Sequence, residues 1–210
     1  MPHPKASLAA LAATTLLALA APAAQAALAV GARAPDFSAQ AALGGKPFTF
    51  KLADALAKGP VVLYFFPKAF TKGCTIEAHD FAEATPKFAA LGATVIGVSH
   101  DDLQTIERFS VEACRNKFAV AADPSAHVIT AYDAKLAFVT GDMADRISYV
   151  IAPDGRVAYV YSSLDPDKHV ANTMQAVRQI DAAAGKALPA APAAPAAPAA
   201  SAVAVSEAGR

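Results

Sequence analysis

The chain contains two cysteines, Cys74 and Cys114, and their positions decide whether they serve as a staple or as reagents. An even count in an oxidising compartment suggests a structural disulfide. A core built from 210 residues hardly needs one, however, and a single bridge is not the dense framework of a small secreted scaffold. Cys74 follows the apolar run Val61 to Phe66 by a short loop, Pro67-Lys68-Ala69-Phe70-Thr71-Lys72-Gly73, and stands at the start of a helical pattern. Loops at the carboxyl ends of parallel strands are where α/β proteins place ligands. Unpaired backbone N–H groups and the positive end of the helix dipole stabilise a thiolate there, and the thiolate is the nucleophilic form. Lys68 and Lys72 either add positive potential at the same place or are simply solvated. Thr71, ahead of Cys74, suits a helix N-cap whose hydroxyl also points into the pocket.

The elements that must hold this cysteine are legible around it. Val61 to Phe66 is a continuous apolar run ending at Pro67, the mark of a strand buried on both faces, and Thr94 to Ser99 is a second. Between them Phe81, Ala84, Phe88 and Leu91 recur at helical spacing, with Pro86 as an expected kink and Gly92 as the stop. Asp101-Asp102 opens a further helix, whose stripe holds Leu103, Ile106, Ser110 and Cys114 while Glu107 and Arg108 lie off it. Ile147 to Ile151 and Arg156 to Tyr161 flank Pro153-Asp154-Gly155, a turn that pairs them as an antiparallel hairpin. Asp167 to Ala184 makes the last helix. A parallel strand–helix–strand crossover followed by a hairpin and a terminal helix is the thioredoxin-like arrangement, an α/β fold with a central mixed β-sheet flanked by helices. Fold alone does not name the function.

Eighteen basic and eighteen acidic side chains cancel. Net charge therefore favours neither nucleic acid nor an anionic membrane surface over a neutral small substrate. The histidines His3, His79, His100, His127 and His169 show no metal-ligand spacing with the cysteines, so neither a metal nor another cofactor is expected. The 55% hydrophobic fraction is inflated by alanine at both ends. His3 and Lys5, the apolar run Leu8 to Ala21, and Ala24-Gln25-Ala26 form an export-signal pattern with cleavage expected after Ala26. That run falls short of the roughly 20 residues a membrane span needs, so a periplasmic protein without stable membrane association is expected. Residues 187–210 repeat Pro-Ala-Ala without apolar periodicity, and a disordered, solvated tail is expected there. Residues 27–186 remain as one domain, within the common range of about 100–200 residues.

The stretch from Pro67 to Ala78 resembles the active-site motif of the peroxiredoxins: proline, three residues, threonine, two residues, cysteine. Its continuation, Cys74-Thr75-Ile76-Glu77-Ala78, is similar to the Q-type branch, the bacterioferritin comigratory proteins. Ala34-Pro35-Asp36-Phe37, Gly92 to Ser99 and Arg146 to Ile151 extend the likeness over most of the span from Ala34 to Lys186. The resemblance implies a thiol peroxidase. Cys74 would be the peroxidatic cysteine, Thr71 the hydroxyl that orients the peroxide, and Pro67 the residue that shields the sulfur. Arg146 would favour the thiolate and the charge developing on oxygen. An arginine suits that role because it stays charged and its forked donors reach sulfur and oxygen together. Without the resemblance, Arg146 reads as a surface charge at a strand edge. The implied reaction is attack of the thiolate on one oxygen of hydrogen peroxide or an organic hydroperoxide, expelling water or an alcohol and leaving a sulfenic acid. A thioredoxin-like protein or another thiol would supply the reducing equivalents.

The chain departs from that pattern in two places. Many members of the branch carry a resolving cysteine where this chain has His79, and Lys72 stands in place of a common proline. Turnover then requires Cys114 or a thiol from another molecule, and some members place a resolving cysteine in the helix that carries Cys114. Far along that helix, Cys114 is expected about 20 Å from the edge that holds Cys74, at a rise of 1.5 Å per residue. A disulfide needs Cα atoms within about 7 Å. An intramolecular bridge therefore requires local unwinding of both helices, and the alternative is a buried core cysteine beside Ile106 and Ser110. Two other functions compete. A thiol–disulfide oxidoreductase on the same fold would carry a Cys-x-x-Cys pair, which neither cysteine has. A non-catalytic interaction module, suggested by the Ala/Pro tail, would leave Cys74 inert to hydrogen peroxide.

Overall fold

Gly44 and Gly45, with φ of 57° and 75°, form a tight turn between two strands that hydrophobic periodicity does not announce. The computed structural model describes residues 27–137 and 139–186. The expected signal at 1–26 and tail at 187–210 lie outside the described residues. The hairpin joins β1 (Ser38–Leu43) to β2 (Lys46–Lys51), and a short helix α1 (Leu52–Leu56) follows. Next come β3 (Val61–Phe65), α2 (Lys72–Ala90), β4 (Thr94–Ser99), α3 (Leu103–Glu112), β5 (Ala119–Ala122) and α4 (His127–Ala131). The chain closes with β6 (Ile147–Ile151), β7 (Val157–Ser162), a 3₁₀ turn at Pro166–Lys168 and α5 (His169–Lys186).

The seven strands form one mixed sheet in the order β2-β1-β5-β4-β3-β6-β7. The pairs β3·β4 and β4·β5 are parallel and the other pairs antiparallel. β3 sits inside the sheet, and every residue in it is buried, as its uninterrupted apolar run requires. Val62 and Tyr64 face the layer that contains Cys74, Phe81, Phe109 and Val177, whereas Val61, Leu63 and Phe65 face Leu52, Ile129 and Tyr132. Each fully buried large side chain contributes roughly 1.5–3 kcal/mol relative to exposure. A Cβ on Gly97 would lie 2.7 Å from Tyr64 Cζ, so a glycine in β4 is what lets the tyrosine ring lie across the sheet and stack on Phe81 with centroids 4.4 Å apart. This stack fixes α2 against β3, and α2 carries Cys74.

α2 runs through Pro86 and ends where expected, with Gly92 in a left-handed conformation at φ 69°. Asp102 caps α3, accepting from Thr105 N–H at 2.8 Å. α3 is shorter than its apolar stripe suggested. It stops at Glu112 with Ala113 as C-cap, so Cys114 lies just beyond the helix, its N–H donating to the Phe109 carbonyl at 3.0 Å. Arg115 and Asn116 then turn left-handed at φ 50° and 57°. The last helix also starts later than expected, at His169, because Pro166 to Lys168 forms the 3₁₀ turn and Asp165 accepts from Asp167 N–H.

Candidate active site

The loop that leads into Cys74 is tied down on the β4 side. Phe66 N–H donates to the Val98 carbonyl at 3.1 Å, and Ala69 N–H donates to Asp101 Oδ2 at 2.8 Å. The same carboxylate oxygen accepts from Ser99 Oγ at 2.9 Å, so Asp101 anchors the loop while its neighbour Asp102 caps α3. Phe70 completes the loop in a left-handed conformation at φ 64°, a strained state for a bulky residue. Cys74 is then the third residue of α2, in the turn whose N–H groups an α-helix leaves unpaired, and only 1% of its surface is exposed. Pro67 is half-buried in this loop. Thr71 occupies the N-cap position as expected, but its hydroxyl makes no capping bond; it donates to the Lys68 carbonyl at 2.9 Å. Lys68 and Lys72 are both exposed.

Arg146 immediately precedes β6, and Ile147 pairs with Phe65 at the end of β3, so the antiparallel register delivers the arginine to the start of the loop. It is 4% exposed, which excludes the surface-charge reading. Its three guanidinium nitrogens have separate partners. Nη2 donates to Cys74 Sγ at 3.4 Å, Nε donates to the Leu164 carbonyl at 2.9 Å, and Nη1 donates to Glu77 Oε2. Burial works against the guanidinium charge, but Glu77 and Cys74 more than offset it and hold the Arg146 pKa above its usual value. A Cβ at position 73 would sit 3.1 Å from Nη2, so Gly73 leaves the space through which Arg146 reaches the sulfur. The arrangement offers a fixed cation to a thiolate and to an oxygen bound beside it.

Glu77, Ser148 and His169 have no role in the reading from sequence, yet all three are fully buried behind Arg146. Burial pushes Glu77 up to about 8, with Arg146 opposing the shift. Ser148 Oγ lies 2.8 Å from His169 Nδ1, and Nε2 of that ring lies 2.9 Å from the Ser163 carbonyl. Spacing does carry part of this signal. Cys74 and Glu77 are three apart on a helix, and Arg146 and Ser148 are two apart at a strand, so each pair shares a face. His169 carries no comparable signal.

Cys114 stands apart from this cluster. α3 starts after the carboxyl end of β4 and returns to the amino end of β5, which places Cys114 at the opposite end of the parallel strands from Cys74. Both thiols are free and buried, and burial pushes the Cys114 thiol far up. A cavity of about 400 Å³ also lies at that far end, lined by Phe48, Lys58, Ala93 and Phe118, and holds none of the cluster. Among the described residues no group of three His, Cys, Asp or Glu side chains is placed to hold a metal ion.

Comparison with known proteins agrees with this geometry. Residues 30–160 match the model of the AhpC/TSA family. Peroxiredoxin Bcp of Bacillus subtilis (strain 168) is 32% identical over 155 residues, covering 72% of this chain and 96% of that protein. Among solved structures, peroxidoxin BcpB from Mycobacterium tuberculosis superposes with a TM-score of 0.65 at 29% identity, covering 72% of this chain and 97% of that one. The bacterioferritin comigratory protein of Xanthomonas campestris, whose structure is described with its alkyl peroxide reduction activity, gives 0.60 at 25% identity, covering 68% and 91%.

Proposed function

The chain belongs to the AhpC/TSA family, in its Q-type peroxiredoxin branch, and is a thiol-dependent peroxidase; from that premise we propose that Cys74 is the sulfur that attacks the peroxide and Arg146 the residue that activates it. The observation that carries the assignment is the contact of Arg146 Nη2 with Cys74 Sγ in the first turn of α2. The thiolate attacks one peroxide oxygen, an S–O bond forms and the O–O bond breaks. The sulfur is oxidised by two electrons to the sulfenic acid, and the departing oxygen takes up a proton and leaves as water or an alcohol. Pro67 shields the sulfur from one side, and the Thr71 hydroxyl, whose hydrogen is donated to the Lys68 carbonyl, orients the incoming peroxide as an acceptor. Hydrogen peroxide and alkyl hydroperoxides are both substrates in this reading, the latter in line with the activity described for the Xanthomonas campestris protein.

Cys114 is assigned the resolving role. Its thiol attacks the sulfenic sulfur, expelling water and forming a disulfide that a thioredoxin-like dithiol then reduces. The two cysteines lie at opposite ends of the strands, so α2 and the end of α3 must open first. The left-handed Arg115 and Asn116, each strained by on the order of 1–3 kcal/mol, lower the cost of that opening. Cys114→Ser is expected to trap the sulfenic acid and stop thioredoxin-supported turnover, leaving the first equivalent of peroxide consumed at the normal rate. Unchanged steady-state turnover, with unlinked Cys114 after oxidation, would return this residue to the core. The reaction is placed in the periplasm on the N-terminal pattern, and the mass of the exported chain tests removal of residues 1–26.

A further inference from the structure

Glu77 Oε1 has no hydrogen-bond partner although its side chain is fully buried; among the described residues, only the Tyr64 hydroxyl shares that condition. The other oxygen, Oε2, accepts from Arg146. What faces Oε1 is His169 Nδ1, at 3.6 Å. The state of that ring follows from its second nitrogen. Nε2 lies 2.9 Å from the Ser163 carbonyl oxygen, which can only accept, so Nε2 carries a hydrogen. Nδ1 of the neutral ring is then an acceptor, and Ser148 Oγ donates to it. That bond occupies the one lone pair of Nδ1, so an ionised Oε1 would lie in the buried core with no donor to stabilise its charge. A proton on Oε1 removes that cost, making Glu77 a carboxylic acid and leaving it and His169 without net charge.

We propose that Glu77 carries a proton on Oε1 beside a neutral His169, and that this neutral pair leaves the Arg146 charge undivided for the Cys74 sulfur. Both act through Arg146 as positioning residues, and the inference rests on Cys74 being the peroxidatic sulfur. Without the proton, a buried carboxylate competes with the thiolate for one guanidinium, through Nη1 and Nη2 respectively. The charged and titratable groups around the pair are Cys74 and Asp80 on α2, Tyr64 on β3, Asp145 and Arg146 ahead of β6, Tyr161 on β7 and Asp165 before α5. Burial raises Glu77, to about 8, with Arg146 opposing and Asp80 adding to the rise. Burial lowers His169, so both shifts favour the carboxylic acid form. The sign follows: below about pH 8 the pair is neutral, and above it the pair becomes an anion that draws Arg146 away from sulfur.

The carbon-13 shift of the Glu77 carboxyl in the full chain, followed from pH 5 to pH 10, reads the proton directly. It is expected to change near pH 8, with the second-order rate toward hydrogen peroxide falling roughly tenfold across the same interval. Glu77→Gln supplies the neutral state permanently, since its amide oxygen accepts from Arg146 and its amide nitrogen takes the place of the protonated oxygen, and its rate profile is expected to lose the alkaline decline. A carboxyl that titrates at about pH 4–5, as an exposed one does, overturns the proposal. So does a Glu77→Gln profile lowered at every pH as far as that of Arg146→Ala, because the carboxylate charge would then be what holds the arginine. Should Glu77→Gln fail to fold, the titration in the unaltered chain decides. Turnover surviving in Cys74→Ser would defeat the reading beneath the proposal and leave the carboxyl titration unaffected.

Discussion

Cys74→Ser is expected to bring peroxide reduction down to background while the protein stays folded. A hydroxyl at this position is not ionised near neutral pH and cannot become a sulfenic acid, so no covalent intermediate forms. The fold should survive, because serine is close in size to cysteine and its oxygen can accept from Arg146 Nη2 where the sulfur now does. Arg146 also keeps its bonds to Glu77 and to the Leu164 carbonyl, so the cluster is not left with an unpaired charge. A stability change of about 1 kcal/mol is expected, equivalent to roughly 2–4 °C in Tm for a domain of this size. Catalytic turnover of hydrogen peroxide with dithiothreitol, compared with wild type, checks it.

The second large effect is expected from Arg146→Ala. Removing the guanidinium takes away the donor on the sulfur and, in the proposed mechanism, the charge that stabilises the departing oxygen. By comparison with loss of an oxyanion donor, the second-order rate with peroxide should fall on the order of 10²–10³-fold. Breaking a buried ion pair by deleting one partner typically costs about 3–5 kcal/mol because the other charge is stranded. Here the loss is expected to be smaller, because Glu77 is already pushed toward its neutral form by burial and can protonate. Activity should therefore drop far more than stability does. An unchanged rate, measured by stopped-flow single turnover, would mean that Arg146 only fills space between α2 and β6.

Those two residues differ in how well the sequence announces them. Cys74 stands between a strand marked by an unbroken apolar run and a helix marked by regular spacing, so its place follows from local pattern alone. β3, β4 and the β6–β7 hairpin are legible for the same reason, being bounded by Pro67, Gly92 and the Pro153-Asp154-Gly155 turn. β1 and β2 are not, because Ser38 to Leu43 is mostly small residues and Lys46 to Lys51 is nearly all exposed, although Gly44-Gly45 between them was an available hairpin signal. β5 is four residues, too short for any period. The end of α3 is misjudged because Ala113 and Cys114 are apolar and buried like the helical stripe before them. What stops the helix is left-handed backbone at Arg115 and Asn116, which the arginine does not advertise although the asparagine is a residue type that favours it. Arg146 reaches Cys74 only through the antiparallel register of β6 on β3, and His169 reaches Glu77 only through the docking of α5. Both are long-range contacts, and no window along the chain contains them.

If the Cys74 sulfur takes up the peroxide oxygen, the resulting sulfenic acid can be trapped on the protein. Reduced protein is mixed with one equivalent of hydrogen peroxide in the presence of dimedone, a carbon nucleophile that adds to sulfenic acids, and its peptides are mapped by mass spectrometry. The expected result is a single adduct on the peptide containing Cys74, absent in Cys74→Ser and increased in Cys114→Ser, where the competing thiol is gone. An adduct confined to Cys114, or peroxide consumed with Cys74 unmodified and unlinked, would contradict the account.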